Sequence, residues 1–367
     1  MVDDSGAGRG AAGVGEAFRV RRVVTGTEHG VAEDGIPAVT VASRSGHGLS
    51  ELLWFEAPPR DAAQDGGDPP AGMRGAFPQA GAAACRLIRF PGIPAGTPED
   101  DAWLRVPGDD PAMPGMHRSE TLDLMIVVDG EILLGLDAGE YALRPGDAVI
   151  QRGTRHRWRV LSESPCTFLS VLLSPEPDAA PAGAPTTATA TPTPAPAPAP
   201  APAPQDADNP GTPRLLITAT DPEGRSYAAS FGPPRPAFPP REIAMYDLWQ
   251  TGGPLIDVAQ GGTDFRTADG HWQLAPVGDG VAMRRVEFAA GHDPGEAGRH
   301  TTATIDVGIV VSGSLALDLA AEKSTDPVVS TLRTGDVMVQ RGTDHRWRPL
   351  DDEPAVLVSV MFALRDA

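Results

Sequence analysis

Hydrophobic and polar positions alternate over short distances along this chain, and the runs end at explicit turn residues. LMIVVDGEILLGL, residues 124–136, is two β-rich runs around Asp129-Gly130 and predicts a hairpin. LRPGDAVIQRGT, residues 143–154, reads as turn, strand and second turn. From 117 to 124 the alternation sorts side chains onto two faces, because successive residues of a strand point in opposite directions. His117, Ser119, Thr121 and Asp123 share one face, and Arg118, Glu120, Leu122 and Leu124 share the other. Strands this short at this spacing imply an all-β sandwich or barrel.

The pattern then repeats. QRGTRHRWR at 151–159 returns as QRGTDHRWR at 340–348, and TLDLMIVVDGEILLGLDAG lines up with TIDVGIVVSGSLALDLAAE. Upstream, RVVTGTEHG echoes LITATDPEG, and ELLW ending at Trp54 echoes YDLW ending at Trp249. Between the copies, residues 174–213 hold a Pro/Ala-rich stretch with almost nothing to bury, which predicts a disordered, polyproline-like linker. The expected organisation is a flexible tail over 1–19, a first domain over 20–173 with its motif core at 85–172, the linker, and a second domain over 214–367 with its core at 283–363. The first copy also carries a longer loop, GTPEDDAWLRVPGDDPAMPGM, ahead of its motif.

Composition narrows the class. The 367 residues are 41% hydrophobic and include 42 Gly and 39 Pro, which suits two turn-rich β domains better than helices. A formal charge of −19 without a basic stripe argues against nucleic acid or an anionic membrane as partner. The start of the chain shows no signal-peptide pattern, no apolar run reaches membrane-span length, and the two cysteines, Cys85 and Cys166, form no CxxC. A cytoplasmic protein is the expectation.

Candidate chemistry sits on the polar face. In the second copy His300, Thr302, Thr304 and Asp306 share a face, and His156 or His345 has Trp158 or Trp347 two residues on, on the same side of an extended segment. A His-Thr-Asp face should line something wet. Local roles remain open: each histidine could bond a backbone carbonyl, each aspartate could fix a loop, and each tryptophan could pack in the core. Arg152, Arg157 and Arg341 read as solvated faces or carboxylate partners, Asp147 and Asp336 as turn residues, and His29, His47, His271 and His292 receive no role.

The order His-x-Ser/Thr-x3-Asp-x6-Gly, then Pro/Thr-Gly-Asp-x-Val/Met, then Gly-Thr-x-His, occurs twice, and the chain resembles a bicupin. The resemblance implies two antiparallel jelly-roll barrels and one divalent metal per barrel, zinc, iron or manganese, with no nucleotide cofactor. Its ligand positions fall on His117, Asp123 and His156, and on His300, Asp306 and His345. The sequence departs from the family pattern where Ser119 and Thr302 replace a second histidine and where each Asp replaces a longer Glu. Ser119, Thr121, Trp158, Thr302, Thr304 and Trp347 would line the pockets, with His156 and His345 as catalytic bases.

The chain is similar to bicupins associated with actinomycete aromatic polyketide and spore-pigment pathways. That implies a cyclase- or dehydratase-type tailoring protein acting on a polyketone or phenolic substrate. A metal-dependent cupin dioxygenase and a non-catalytic small-molecule-binding or assembly module are the alternatives. The apolar outer faces of the motif strands need cover, which predicts barrels paired within the chain or in a homodimer.

Overall fold

The computed structural model describes residues 19–26, 30–37, 39–41, 47–55, 57, 59, 77–176, 212–319 and 328–364. The expected tail and nearly all of the expected linker lie outside these residues. The described chain is almost entirely β, and none of its helices is long and apolar enough to cross a membrane. Each half is a two-sheet jelly roll. The first half stacks an eight-stranded sheet on a four-stranded one, and the second stacks a seven-stranded sheet on a three-stranded one.

The turn at Asp129-Gly130 makes no hairpin. Strand Leu122–Asp129 pairs with Ala148–Arg152 and Cys166–Leu173, whereas Ile132–Leu136 pairs with Gly139–Leu143 and Arg155–Val160 in the other sheet. Gly130 takes φ 74°, and a Cβ there would lie 2.3 Å from the carbonyl oxygen of Pro165. Only glycine lets the chain pass that close while stepping from sheet to sheet. Gly313, at φ 72°, performs the same crossing in the second half between Thr304–Ser312 and Ser314–Leu319.

The sheets are not drawn from contiguous halves of the sequence, and they are not purely antiparallel. Strand Arg19–Gly26 runs parallel to Val337–Arg341 in the second half's large sheet. Reciprocally, Leu215–Thr220 runs parallel to Ala148–Arg152 in the first half's large sheet. Each half therefore donates its first strand to the other. The two arginine-glycine-threonine turns fasten these guests. The backbone N–H of Arg152 and the hydroxyl of Thr154 each donate to Thr218 Oγ1 at 3.0 Å, and Arg341 N–H and the Thr343 hydroxyl donate to Thr25 Oγ1 at 3.0 and 3.1 Å.

Alternation along the exchanged and motif strands divides the core. Leu122, Leu124 and Ile126 join Ile305, Val307 and Ile309 in one cluster shared by both halves. Met125, Val127, Trp158 and Phe168 fill the interior of the first jelly roll. Trp347, Met338, Leu357 and Val23 border the interior of the second.

Because one cluster spans both halves, denaturant should unfold the molecule in a single transition, and two separated transitions would contradict the shared core. Val23 is fully buried in the half it does not belong to by sequence. Val23→Ala should cost about 2 kcal/mol, and Thr25→Val or Thr218→Val about 1 kcal/mol each through the lost hydroxyl bonds.

Candidate functional site

The repeated string builds one cluster per half by placing its Gln and His on the inner face and its Arg on the outer. In the first half the short strand His117–Arg118 pairs with Arg155–Val160 so that His117 lies across from His156, with ring centroids 4.2 Å apart. In the second half an isolated bridge joins His300 to His345, with centroids 4.3 Å apart. Each imidazole is oriented by a backbone carbonyl. Nδ1 faces Gly115 O for His117, Thr154 O for His156, Gly298 O for His300 and Thr343 O for His345, at 2.9–3.0 Å. A ring nitrogen facing a carbonyl must carry the proton, so Nε2 is the ring position left to accept.

Each cluster also holds a glutamine, to which the sequence analysis assigned nothing. Gln151 Nε2 lies 3.3 Å from Asp123 Oδ2 and 3.1 Å from His156 Nε2, so the amide N–H stands between carboxylate and imidazole. In the second half the Gln340 side chain stands against the His345 ring, and its Nε2–H donates to Thr343 O at 3.3 Å. The signal was present in the repeated string, where the Gln precedes each His by five positions on the same strand pair. Arg86 and Arg284 were also missed. They occupy matching register positions beside the clusters, opposite Ser170 and Ser359, and both are buried. Arg284 is held by Asp247 at 3.1 Å and by the carbonyl of Gln273 at 3.1 Å.

Burial sets the protonation states. Desolvation pushes Asp123 up to about 7, against the hydroxyls of Thr121 and Ser119 and the charge of Arg86. Desolvation likewise pushes Asp306 up to about 7, against Thr304 and Arg284. His156 is driven down to about 3 by desolvation and then by His117; His345 is driven down to about 4 by desolvation and then by His300. Desolvation also lowers His117. At neutral pH both string histidines are neutral and both aspartates are poised between their two states. Asp123 Oδ1 and Asp306 Oδ1, both enclosed, accept no hydrogen bond among the described residues.

The structure brings His117 to His156 and His300 to His345, and it puts Asp123 and Asp306 on the same inner faces. It does not assemble the ligand set implied by the family resemblance. The Gln151 amide separates Asp123 from His156, and among the described residues no group of three His, Cys, Asp or Glu side chains is placed to hold a metal ion. The donors therefore do not fit a two-His, one-carboxylate centre. Ser119, Thr121, Thr302 and Thr304 are buried beside the clusters. Trp158 stacks on Phe168 inside the first half, a core role, whereas Trp347 borders a cavity.

That cavity lies in the second half and measures about 530 Å³. His300, His345, Gln340, Asp306, Thr302 and Arg284 supply its polar lining. Met245, Val286, Phe288, Leu357 and Met361 give apolar walls, and Trp272 closes one side. Trp272 is pinned there by its Nε1–H to Asp247 Oδ2 at 2.9 Å and by the Arg284 guanidinium 4.7 Å from its ring. His292 also borders the cavity.

Two measurements follow. Protein incubated with iron, manganese or zinc and then desalted should retain well under one metal per chain; stoichiometric metal lost in Asp306→Ala would restore the three-ligand set. The second is stability against pH. The aspartates, raised above an unfolded value of 3.8, favour folding fully below that value and lose this contribution as pH rises through about 7. His156 and His345, depressed below 6.5, favour folding above that value and lose this as pH falls through about 4 and about 3, with His117 acting in the same direction. Between pH 4 and 6.5 the two sets largely offset each other. The double variant Asp123→Asn, Asp306→Asn should therefore show a melting temperature that climbs with pH across this window, where the wild type stays nearly level.

Residues 104–172 match the family described as Cupin domain. Phomopsin biosynthesis cluster protein D of Diaporthe leptostromiformis is 56% identical over 45 residues, 12% of this chain and 24% of that protein. A cupin-domain-containing oxidoreductase of Neurospora crassa is 44% identical over 64 residues, 17% of this chain and 33% of that one. The chain thus matches a third or less of the length of these relatives. Among solved structures, an oxalate decarboxylase–formate complex from Lactobacillus farciminis aligns with 92% of this chain and 88% of its own, at 13% identity and a TM-score of 0.43. Residues 104–172, which contain the whole first copy of the His, Asp and Gln cluster, are a match to the Cupin domain.

Proposed function

We propose that the chain binds a small, mostly apolar polyketone or phenolic molecule in the second-half cavity and catalyses a cyclase- or dehydratase-type step in secondary-metabolite biosynthesis. The observation that carries this reading is the cavity itself, about 530 Å³ with apolar walls and a polar group composed of His300, His345, Gln340 and Asp306. A site of this size and polarity suits a ligand of two or three fused rings. The similarity to a phomopsin cluster protein supports the biosynthetic setting.

The chemistry asked of these residues is redox-neutral. The free Nε2 of His345 takes a proton from the carbon next to a ligand carbonyl, and the C–H electron pair moves into the carbonyl to give an enolate. Gln340 N–H and the nearby Arg284 charge favour the negative oxygen. Asp306, with a value near 7, is matched to neutral pH and delivers a proton to a departing β-hydroxyl, which leaves as water. The C–O bond breaks as the C=C bond forms, and no electron acceptor is consumed.

The test uses 3-hydroxy-1-tetralone, which loses water to become 1-naphthol, followed by naphthol fluorescence without oxygen or added cofactor. Wild type should accelerate the loss, and His345→Ala should lower kcat/KM at least a hundredfold. Oxygen uptake coupled to product formation would instead support an oxidoreductase. Binding without turnover would leave a carrier or assembly module.

A further inference from the structure

The two copies carry the same cluster in differently filled interiors. The inward positions of the paired strands correspond one to one through their register with the central motif strand. Met125 lies opposite Ser170, and Gly308 lies opposite Ser359. Phe168 lies opposite Ile88, and Leu357 lies opposite Val286. At these three inward positions the second half thus has Gly, Leu and Val where the first has Met, Phe and Ile. Met338 and Met361, which replace Val149 and Leu172, return only part of that volume, and both are flexible side chains at the cavity wall.

The covering loops differ in the same sense. In the first half, residues 91–116 fold back over the jelly roll. Leu104 N–H donates to the carbonyl of Trp158 at 2.8 Å, and the Leu104 side chain joins Met125, Trp158 and Phe168 in the interior cluster. Its neighbour Trp103, itself buried, anchors the loop against the other face of strand Arg155–Val160, under the Arg157 guanidinium 3.7 Å from its ring. This seat exists because Gly135 leaves room: a Cβ there would lie 3.1 Å from the edge of the Trp103 ring. At the matching position the second half has Asp318, which Arg346 holds at 2.6 Å and Arg348 at 3.2 Å. That ion-paired group occupies the anchor's place, and the shorter segment 289–299 brings His292, Pro294, Ala297 and Gly298 to the cavity rim, with no counterpart of Leu104 among them.

We infer that the chain has one ligand site, in the second half, and that the first half is a closed copy whose interior is filled by Met125, Phe168, Ile88 and Leu104. The inference rests on the proposed reading of the second-half cavity as a ligand site. Leu357 and Val286, which line the cavity, and Gly308, which lets the Met338 end lie back from it, are then the residues that set the size of the ligand, because they are the points at which the second interior was hollowed relative to the first. His156 in the closed copy acts as a packed structural histidine, not as a second base.

The test titrates 1-naphthol into the full chain by its own fluorescence and by calorimetry. One molecule per chain is expected. Gly308→Met and Leu357→Phe, which write the first half's residues into the second, should each weaken binding at least tenfold. His156→Ala should leave it within twofold. A Cβ at Gly308 meets the flexible end of Met338 at 2.7 Å and the Leu357 side chain at 3.3 Å, while the nearest backbone atom, Val358 O, lies at an ordinary contact distance of 3.6 Å, so the space is obtained by moving side chains and not backbone. Two molecules per chain, or loss of binding in His156→Ala, would overturn the single-site assignment.

A second measurement does not depend on the ligand. In Gly308→Cys and Met125→Cys, the new thiol at 308 should react with N-phenylmaleimide at least tenfold faster than that at 125; equal rates would overturn the inference. The native thiols give a low background, since both are buried and burial pushes Cys166 up to about 12. If 1-naphthol fails to bind while the thiol at 308 remains the faster, the ligand class proposed above fails and the closed-copy assignment stands.

Discussion

The parallel pairing of each half's first strand with the other half's motif strand is the constraint on which the rest of this molecule depends. It completes both large sheets, and it places Val23 in an interior built otherwise from residues some 300 positions away. Its fastening is local and repeated. A threonine on the guest strand, Thr25 or Thr218, receives both the backbone N–H and the hydroxyl of an Arg-Gly-Thr turn. The carbonyl of that same turn threonine then takes the Nδ1 proton of His156 or His345. One turn thus holds the neighbouring half on one side and fixes the tautomer of the site histidine on the other. This double duty gives a physical reason for a nine-residue string to survive nearly unchanged in both copies.

Much of this was legible in the sequence. Alternation over 117–124 put His117 and Asp123 on the inner face, where both are found, and the all-β class followed from strand length and turn residues. What misled was Asp129-Gly130. In a hairpin the two flanking runs pair with each other; here the same glycine conformation serves a crossover, and the choice is made by Pro165, whose carbonyl approaches from a distant part of the chain. Strand exchange was illegible for a related reason, because alternation reports which residues are buried and never against what. Gln151 and Gln340 were overlooked since glutamine between two strands reads as solvated, until its neighbours show that the amide fills the gap between an aspartate and a histidine.

The site itself shows how a polar cluster is kept inside a jelly roll. Burial costs the charged forms most, so each cluster sets a neutral string histidine and an aspartate poised between its two states beside a glutamine amide. The same economy suits either a catalytic pocket or a closed core. Side-chain volume and the covering loop separate the two copies, which is why the polar residues of the cluster alone do not distinguish them.

The strand exchange also changes what the proline-rich segment is for. Strand Cys166–Leu173, where the first copy ends, and strand Leu215–Thr220, where the second begins, belong to the same eight-stranded sheet, three strand spacings apart. The strands themselves lie about 15 Å apart across the sheet. The segment therefore leaves and re-enters one body, and the reach that its composition could give sets no distance between two. The real tethers are the two guest strands, so the halves hold each other as interlocked partners do, and a nick in the segment would leave their mutual grip untouched.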